Sequence, residues 1–385
     1  MLERGRRVFV NSYAQYPLVL SGGEGRYVWD INGNKYLDMV GGIAVNLLGY
    51  NDEGLNGELK RVIDGGLLHC SNLYWNPWAI QCAEKLVAMS QMERVFFCNS
   101  GTEANEGAIK MARKFGAGRS EIITMENSFH GRTLGSLSAT GQRKYQEAFA
   151  PMLEGFRYAR YNDIASVKEL LTPHTCAIMV EAIQGEGGIK VADEQFLKDL
   201  RLLADKHNLL LIFDEVQCGL GRSGHLFAWQ ISGVLPDIMT LAKGLGSGIP
   251  IGAIVAGAKA ADIFTPGDHG ATFGGNLLAT AAANYVLTRL SAKGFLEGVK
   301  RTGRVLKEGL LQLQQAFPEI IKEVRGLGLM LGVELTVPSR PIISACMDKG
   351  LLIASAGENV LRFVPPLTIT EAEVERALSL LKEAF

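Results

Sequence analysis

An acid, Asp214, and an amine, Lys243, each end a short apolar run in the middle of this 385-residue chain. Leu209-Leu210-Leu211-Ile212-Phe213 delivers Asp214-Glu215, and Ile238-Met239-Thr240-Leu241-Ala242 delivers Lys243-Gly244. If both runs are parallel strands, the two side chains meet at the carboxyl edge of the sheet, where open α/β sheets bind ligands. Acids at strand ends are often helix caps or metal ligands, but here Gln217 adds a second polar group to the same turn. Lysines are mostly exposed, yet Leu241-Ala242 and Gly244-Leu245-Gly246 give Lys243 apolar, tightly turning flanks. Desolvation there favours the neutral amine and hence nucleophilic attack. A nucleophilic amine opposite a buried carboxylate suits pyridoxal phosphate, which needs a lysine for its Schiff base and an acid for its pyridinium nitrogen.

Upstream, Asn99-Ser100-Gly101-Thr102-Glu103-Ala104-Asn105-Glu106 follows an apolar run and opens a helix. Ser100 and Glu103 have capping-box spacing, and Ala104, Ala108, Met111, Ala112 and Phe115 continue as one apolar stripe. By itself this is an ordinary capped helix. Gly101, the Thr102 hydroxyl and the free N–H groups of the first turn also make it a phosphate cradle. Gly219-Leu220-Gly221-Arg222-Ser223-Gly224 matches the dinucleotide-binding glycine pattern, which supports an oxidoreductase as the competing reading. Against it, Glu215 to Cys218 separate Asp214 from the first glycine, the segment after Gly224 is irregular, and Asp237 begins its apolar run instead of ending it. The glycines are therefore read as a turn. There is no Gly-x-Ser-x-Gly, His-Glu-x-x-His or Walker motif, and the six histidines lack metal-ligand spacing, so no metal is expected.

These groups need a scaffold. Apolar runs at 95–98, 121–125, 176–183, 209–213, 238–242 and 251–257, several separated by helix-like segments such as 194–207, predict a mostly parallel sheet covered on both faces. Residues 27–30 and 36–38 flank Asn32-Gly33-Asn34, a hairpin signal. After Thr272-Phe273-Gly274-Gly275 a long helical region, 277–316, leads to strands at 328–335, 351–354 and 359–364, and Thr370-x-x-Glu373 caps a final helix. The expected fold is thus α/β. An N-terminal arm with small-domain strands occupies 1–44, a large domain 45–275, and a smaller α+β domain 276–385.

Composition agrees with an ordered globular chain: 47% apolar, 21% charged, 12 prolines. Thirty-nine basic against 40 acidic residues argues against a nucleic-acid footprint or a polybasic membrane patch, and fits an oligomer. Six scattered cysteines without a Cys-x-x-Cys pair read as reduced thiols. With no signal-peptide run and none near the roughly 20 residues of a membrane span, the expected location is cytoplasmic.

Six ordered segments then carry a resemblance. They are Ser100-Gly-Thr-Glu-Ala-Asn-Glu106, Asn127-Ser-Phe-His-Gly-Arg-Thr133, Glu181-Ala-Ile-Gln-Gly-Glu-Gly-Gly188, Asp214-Glu-Val-Gln217, Leu241-Ala-Lys-Gly244 and His269-Gly-Ala-Thr-Phe-Gly-Gly-Asn276. Over essentially the whole chain this resembles the subgroup III, fold-type I aminotransferases that use pyridoxal phosphate. The resemblance implies that Lys243 bonds the cofactor and shuttles the proton, and that Asp214 pairs with the ring nitrogen. Val216 and Gln217 lie by the ring, the latter near its hydroxyl, and Phe129 stacks on it. Ser100, Gly101 and Thr102 hold the phosphate, with Thr272 arriving from a second subunit, so a homodimer is implied.

Segments 128–142 and 42–46 most resemble family members that act on N2-acetylornithine, which implies that donor and 2-oxoglutarate as acceptor, in arginine biosynthesis. Arg132, with Tyr13, would take the donor carboxylate, and Arg362 the 2-oxoglutarate α-carboxylate, because a guanidinium matches a carboxylate bidentately. Glu186 would pair with Arg362 while the donor is bound. Without the resemblance, Arg362 reads as an exposed strand arginine. Ala271 stands where relatives often carry a hydroxyl, Leu277 and Ala182 stand in place of usual prolines, and Tyr50-Asn51-Asp52-Glu53 replaces a His-x-His-Pro segment. Ornithine, succinylornithine, acylated lysine and 4-aminobutyrate remain alternative donors, and a non-enzymatic interaction protein is disfavoured by the presence of both Lys243 and Asp214.

Overall fold

Short apolar runs suit strands buried on both faces, and the chain places most of them so. A computed structural model describes residues 1–385. Its central sheet contains β1 (Arg94–Cys98), β2 (Glu121–Met125), β3 (Phe156–Ala159), β4 (Thr175–Val180), β5 (Leu210–Asp214), β6 (Ile238–Leu241) and β7 (Gly252–Ala256). The spatial order is β1-β7-β6-β5-β4-β2-β3. Every residue of β4, β5, β6 and β7 is buried. Helices such as Gly101–Gly116 and Glu194–Lys206 turn their apolar stripes, Ala104–Ala112 and Phe196–Ala204, onto it.

The mostly parallel central sheet is as expected, with two details that the sequence reading did not specify. Strand β3 is not foreseen: it is an edge strand, mostly half-buried, whose Phe-Arg-Tyr-Ala sequence lacks a continuous apolar run. Strand β7 runs antiparallel to both β6 and β1, whereas the neighbouring pairs β5–β6, β5–β4, β2–β4 and β2–β3 are parallel. The reason is connection length. A parallel pair needs a crossover of about a dozen residues or more, and the segment 242–251 contains only a short 3₁₀ turn, Lys243–Leu245. The chain therefore reverses directly after Lys243.

The expected helical region 277–316 is two helices, Leu277–Leu290 and Phe295–Ala316. The first packs on Glu53–Asp64 and Pro77–Ser90, and the second on the strand Ile321–Leu327 and the final helix Glu371–Lys382. The hairpin of Tyr27–Asp30 and Lys35–Asp38 forms as expected, and Leu351–Leu352 extends its sheet in parallel with Lys35–Asp38. A second small sheet joins Ile321–Leu327, Met330–Leu335, Val360–Phe363 and Ala354–Ser355. The six cysteines form no disulfide. No helix is long and apolar enough to cross a membrane.

The glycine loop 219–224 fastens these parts together. Gly221 and Gly224 take φ of 82° and 87°, a region that side chains disfavour. Between them Arg222 is wholly buried and donates from Nη1 to the carbonyls of Leu329 and Pro365. Burial lowers the Arg222 pKa, and the nearby Asp38 carboxylate opposes that shift. Asp38 in turn accepts from Tyr50 Oη at 2.5 Å and from the backbone N–H groups of Val40 and Gly41. Arg222→Met leaves two buried carbonyls and a buried acid without their cationic partner. A loss of about 3 kcal/mol is expected, read as a lower urea midpoint. An unchanged midpoint would show that the arginine contributes nothing to the junction.

Candidate active site

Parallel pairing of β5 with β6 sets Asp214 opposite Thr240, three residues before Lys243. The acid and the amine thereby enter one cavity of about 390 Å³ at the carboxyl edge of the sheet. Ser100, Gly101, Thr102, Phe129, Arg132, Val216 and Gln217 line the same cavity.

Asp214 is 3% exposed and is held by three donors. Asn105 Nδ2 and His130 Nδ1 lie 2.7 Å from its Oδ2, and the Val216 N–H lies 3.0 Å from Oδ1. With Asp214 ionised, the proton of that imidazole must sit on Nδ1. Asn105 also donates to the His130 carbonyl at 2.7 Å and accepts from Thr240 Oγ1 at 2.7 Å, so the donors are themselves fixed. Glu181 directly follows β4, as Asp214 closes β5; its Oε2 accepts from the Phe129 N–H at 3.0 Å. Burial, reinforced by the Asp214 charge, pushes the Glu181 pKa well above the usual carboxyl range.

The phosphate-cradle geometry comes from the first turn of Gly101–Gly116. Ser100 Oγ accepts the Glu103 N–H at 3.3 Å, while Glu103 reaches back past Ser100 to the Asn99 N–H at 2.9 Å. The N–H groups of Gly101 and Thr102 keep no acceptor within the chain. A Cβ on Gly101 would stand 2.6 Å from Val216 Cγ1, so only glycine lets this turn approach the strand ends. Beside it Thr102 Oγ1 lies 2.7 Å from Thr133 Oγ1.

Lys243 has φ 45°, a left-handed conformation that costs a side-chain-bearing residue about 1 kcal/mol. It is open only towards the cavity. Desolvation lowers its ammonium pKa; Arg362 acts in the same direction, and Glu186 and Asp214 oppose. The result favours a neutral nucleophilic amine.

Arg362 and Glu186 do not line the cavity wall but form an ion pair behind it. Arg362 is 2% exposed, which corrects its reading as an exposed strand arginine. Its Nη1 also donates to Gln217 Oε1 at 3.2 Å, and its Nε has no partner. Burial raises the Glu186 pKa, but Arg362, with Lys243 and Gln217, brings the net shift downward. Three further expected site residues also lie outside this chain's own cavity. Tyr13 is 76% exposed on the N-terminal arm, Thr272 is exposed, and Ala271 is held at its carbonyl by Asn72.

The family described as aminotransferase class-III matches residues 8–385. The chain belongs to that family. This class-III aminotransferase is 50% identical to the acetylornithine aminotransferase of Caldanaerobacter subterraneus subsp. tengcongensis, covering 100% of this chain and 99% of that protein. It is 45% identical to the enzyme of the same name from Methanocaldococcus jannaschii, covering 100% and 97%. Among solved structures, the N-acetylornithine aminotransferase of Stenotrophomonas maltophilia K279a superposes with a TM-score of 0.86 at 39% identity, covering 100% and 98%. The ornithine aminotransferase of Toxoplasma gondii ME49 reaches 0.95 at 33%, covering 100% and 93%.

Membership implies pyridoxal phosphate. The residues fit such a group: unpartnered N–H groups face the cavity at a glycine that admits no Cβ, an amine of lowered pKa opens into it, and a triply held carboxylate stands at its floor. The sequence reading quoted Asn105, His130 and Glu181 within motif segments and Thr240 within an apolar run, but gave none of them a role in the site. Signals for two of them existed: Asn105 lies one helical turn beyond Gly101 on the same face, and Glu181 ends a fully apolar run as Asp214 does.

Because the Glu186 charge raises the Lys243 pKa, Glu186→Gln is expected to lower it further. Labelling of Lys243 by a small aldehyde and borohydride, followed across pH in cofactor-free protein, should show its midpoint move down. A midpoint that stays or rises contradicts this coupling.

Proposed function

We propose that this class-III aminotransferase moves the δ-amino group of N2-acetylornithine to 2-oxoglutarate in two half-reactions, as a homodimer using pyridoxal phosphate. The observation that carries the reading is the joint placement of Lys243, Asp214 and a buried Arg362–Glu186 pair around one cavity. The full-length relatives named for acetylornithine support the choice of donor. N-acetylglutamate semialdehyde leaves after the first half-reaction and glutamate after the second, which places the enzyme in arginine biosynthesis.

Bound in the cavity, pyridoxal phosphate supplies the carbonyl carbon that takes the amine and a ring that stores the electron pair. Gly101 and Thr102 N–H groups, with the Ser100 and Thr102 side chains beside them, would hold its phosphate at the positive end of the helix. Thr272 of the second subunit would complete that contact. Asp214 would hold the proton on the ring nitrogen, Phe129 would cover one ring face, and Val216 and Gln217 would flank the ring. Lys243 Nζ would take the proton from the donor carbon bearing the amine and hand it to the cofactor, and would carry a proton the opposite way, from cofactor to the keto-acid carbon, in the second half-reaction.

Two arginines divide the carboxylates. Arg132 would bind the donor carboxylate, with Tyr13 of the N-terminal arm assisting it and Ala271 leaving room beside it. A donor presents no second carboxylate at the far end, so Glu186 keeps Arg362 neutralised. 2-Oxoglutarate carries two, and its α-carboxylate would replace Glu186 on Arg362.

Lys243→Ala is expected to lose at least a thousandfold in turnover while still taking up pyridoxal phosphate, measured by absorbance after gel filtration. Near-normal transamination by that variant would remove Lys243 as nucleophile. Arg362→Gln should raise KM for 2-oxoglutarate about tenfold to a hundredfold and leave that for the donor within about twofold. Single-turnover rates with N2-acetylornithine, ornithine, succinylornithine, an acylated lysine and 4-aminobutyrate test the donor. A faster rate with any of the other four overturns the assignment.

A further inference from the structure

We propose that Tyr145 is a positioning residue for Arg132, and through it a determinant of selectivity for amine donors that carry a carboxylate. The proposal rests on reading Arg132 as the donor-carboxylate clamp.

Arg132 lies on the loop that follows β2 and lines the cavity with its neighbour Phe129. Its guanidinium has no carboxylate, carbonyl or hydroxyl partner in the chain, and its contacts are two aromatic faces. The guanidinium carbon sits 4.1 Å from the ring centroid of Tyr145 and 5.4 Å from that of Phe129. The two rings meet edge to face, with centroids 6.0 Å apart. A guanidinium over an aromatic face is attracted by the ring quadrupole while its N–H donors, which lie in its own plane, stay free. That geometry suits a clamp that waits for a carboxylate. An acidic neighbour would hold the arginine as firmly but would compete with the substrate for the same donors.

The seat is itself built. Tyr145 is half-buried in the helical turn Arg143–Gln146. On one side of the turn Gln142 Nε2 donates to the carbonyls of Asn127 at 3.2 Å and Ser128 at 2.9 Å, on the loop that carries Phe129 and Arg132. On the other, Gln146 Nε2 donates to Leu137 and Thr140 carbonyls at 3.0 and 2.7 Å. The ring therefore keeps a fixed relation to the Arg132 loop. Lys144 Nζ also lies 4.9 Å from the Tyr145 centroid, so the ring supplies a surface and not a counter-charge. The ring face is what Tyr145 turns to Arg132.

The test compares Tyr145→Leu, Tyr145→Phe and Arg132→Gln as holoenzymes. Half-reactions are followed by cofactor absorbance with N2-acetylornithine and with 1,4-diaminobutane, which offers a primary amine without a carboxylate. Tyr145→Leu is expected to raise KM for N2-acetylornithine about tenfold, with kcat within about twofold and kcat/KM for the diamine unchanged. Tyr145→Phe should match wild type. Equal losses with both donors would assign Tyr145 a merely structural role and overturn the proposal. No loss in Tyr145→Leu, with Arg132→Gln impaired, would overturn it while leaving the clamp reading intact. No loss in Arg132→Gln would remove the clamp reading, and the proposal with it.

Discussion

The carboxylate of Asp214, buried at the carboxyl end of a strand, is the constraint around which the site is organised. An ionised group in such a place is tolerated only when hydrogen bonds replace water. Three do so, and they come from the helix Gly101–Gly116, from the loop after β2 and from the turn after β5 itself. Satisfying one acid therefore fixes three separate segments. One carries the free N–H groups, another carries Phe129 and Arg132, and the third carries Val216 and Gln217. The cavity's walls follow from that single requirement.

Lys243 depends on a different device. A reversing connection too short for a crossover helix bends the chain immediately after β6 and places the lysine in a left-handed conformation. Its amine then stands among the charges of Glu186, Arg362, Asp214 and Glu181. Desolvation outweighs their sum and lowers its pKa, yet the balance depends on the Glu186–Arg362 pair, whose members lie 176 residues apart in the chain. The Glu186–Arg362 pair is thus electrostatically linked to the Lys243 amine.

Arg222 shows how the fold brings Arg362 there. Arg362 lies in the strand Val360–Phe363, and the carbonyl of Pro365, two residues beyond that strand's end, accepts from buried Arg222. A loop that resembles a dinucleotide-binding turn in sequence is a structural clasp between the central sheet and the C-terminal segment. Its glycines serve the turn, and its arginine serves the junction.

Much of the fold was legible in the residues because burial on both faces demands continuous apolar runs, and such runs are visible at 121–125, 209–213 and 238–242. The capping boxes, the acid at 214 and the lysine at 243 are equally local, since strand ends and helix starts are marked by side-chain chemistry. What stayed hidden depends on partners far apart in the chain. The edge strand Phe156–Ala159 has no signal without its neighbour β2, and the direction of β7 is set by the length of its connection. Arg362 could be recognised as buried only once Glu186 stood beside it, and Tyr145 as a seat only once Arg132 lay on its ring. By itself the sequence determined which residues could do chemistry and which segments had to be buried. Tertiary structure alone decided which of those residues share a charge environment, because electrostatics and aromatic stacking act through space and leave no periodicity along the chain.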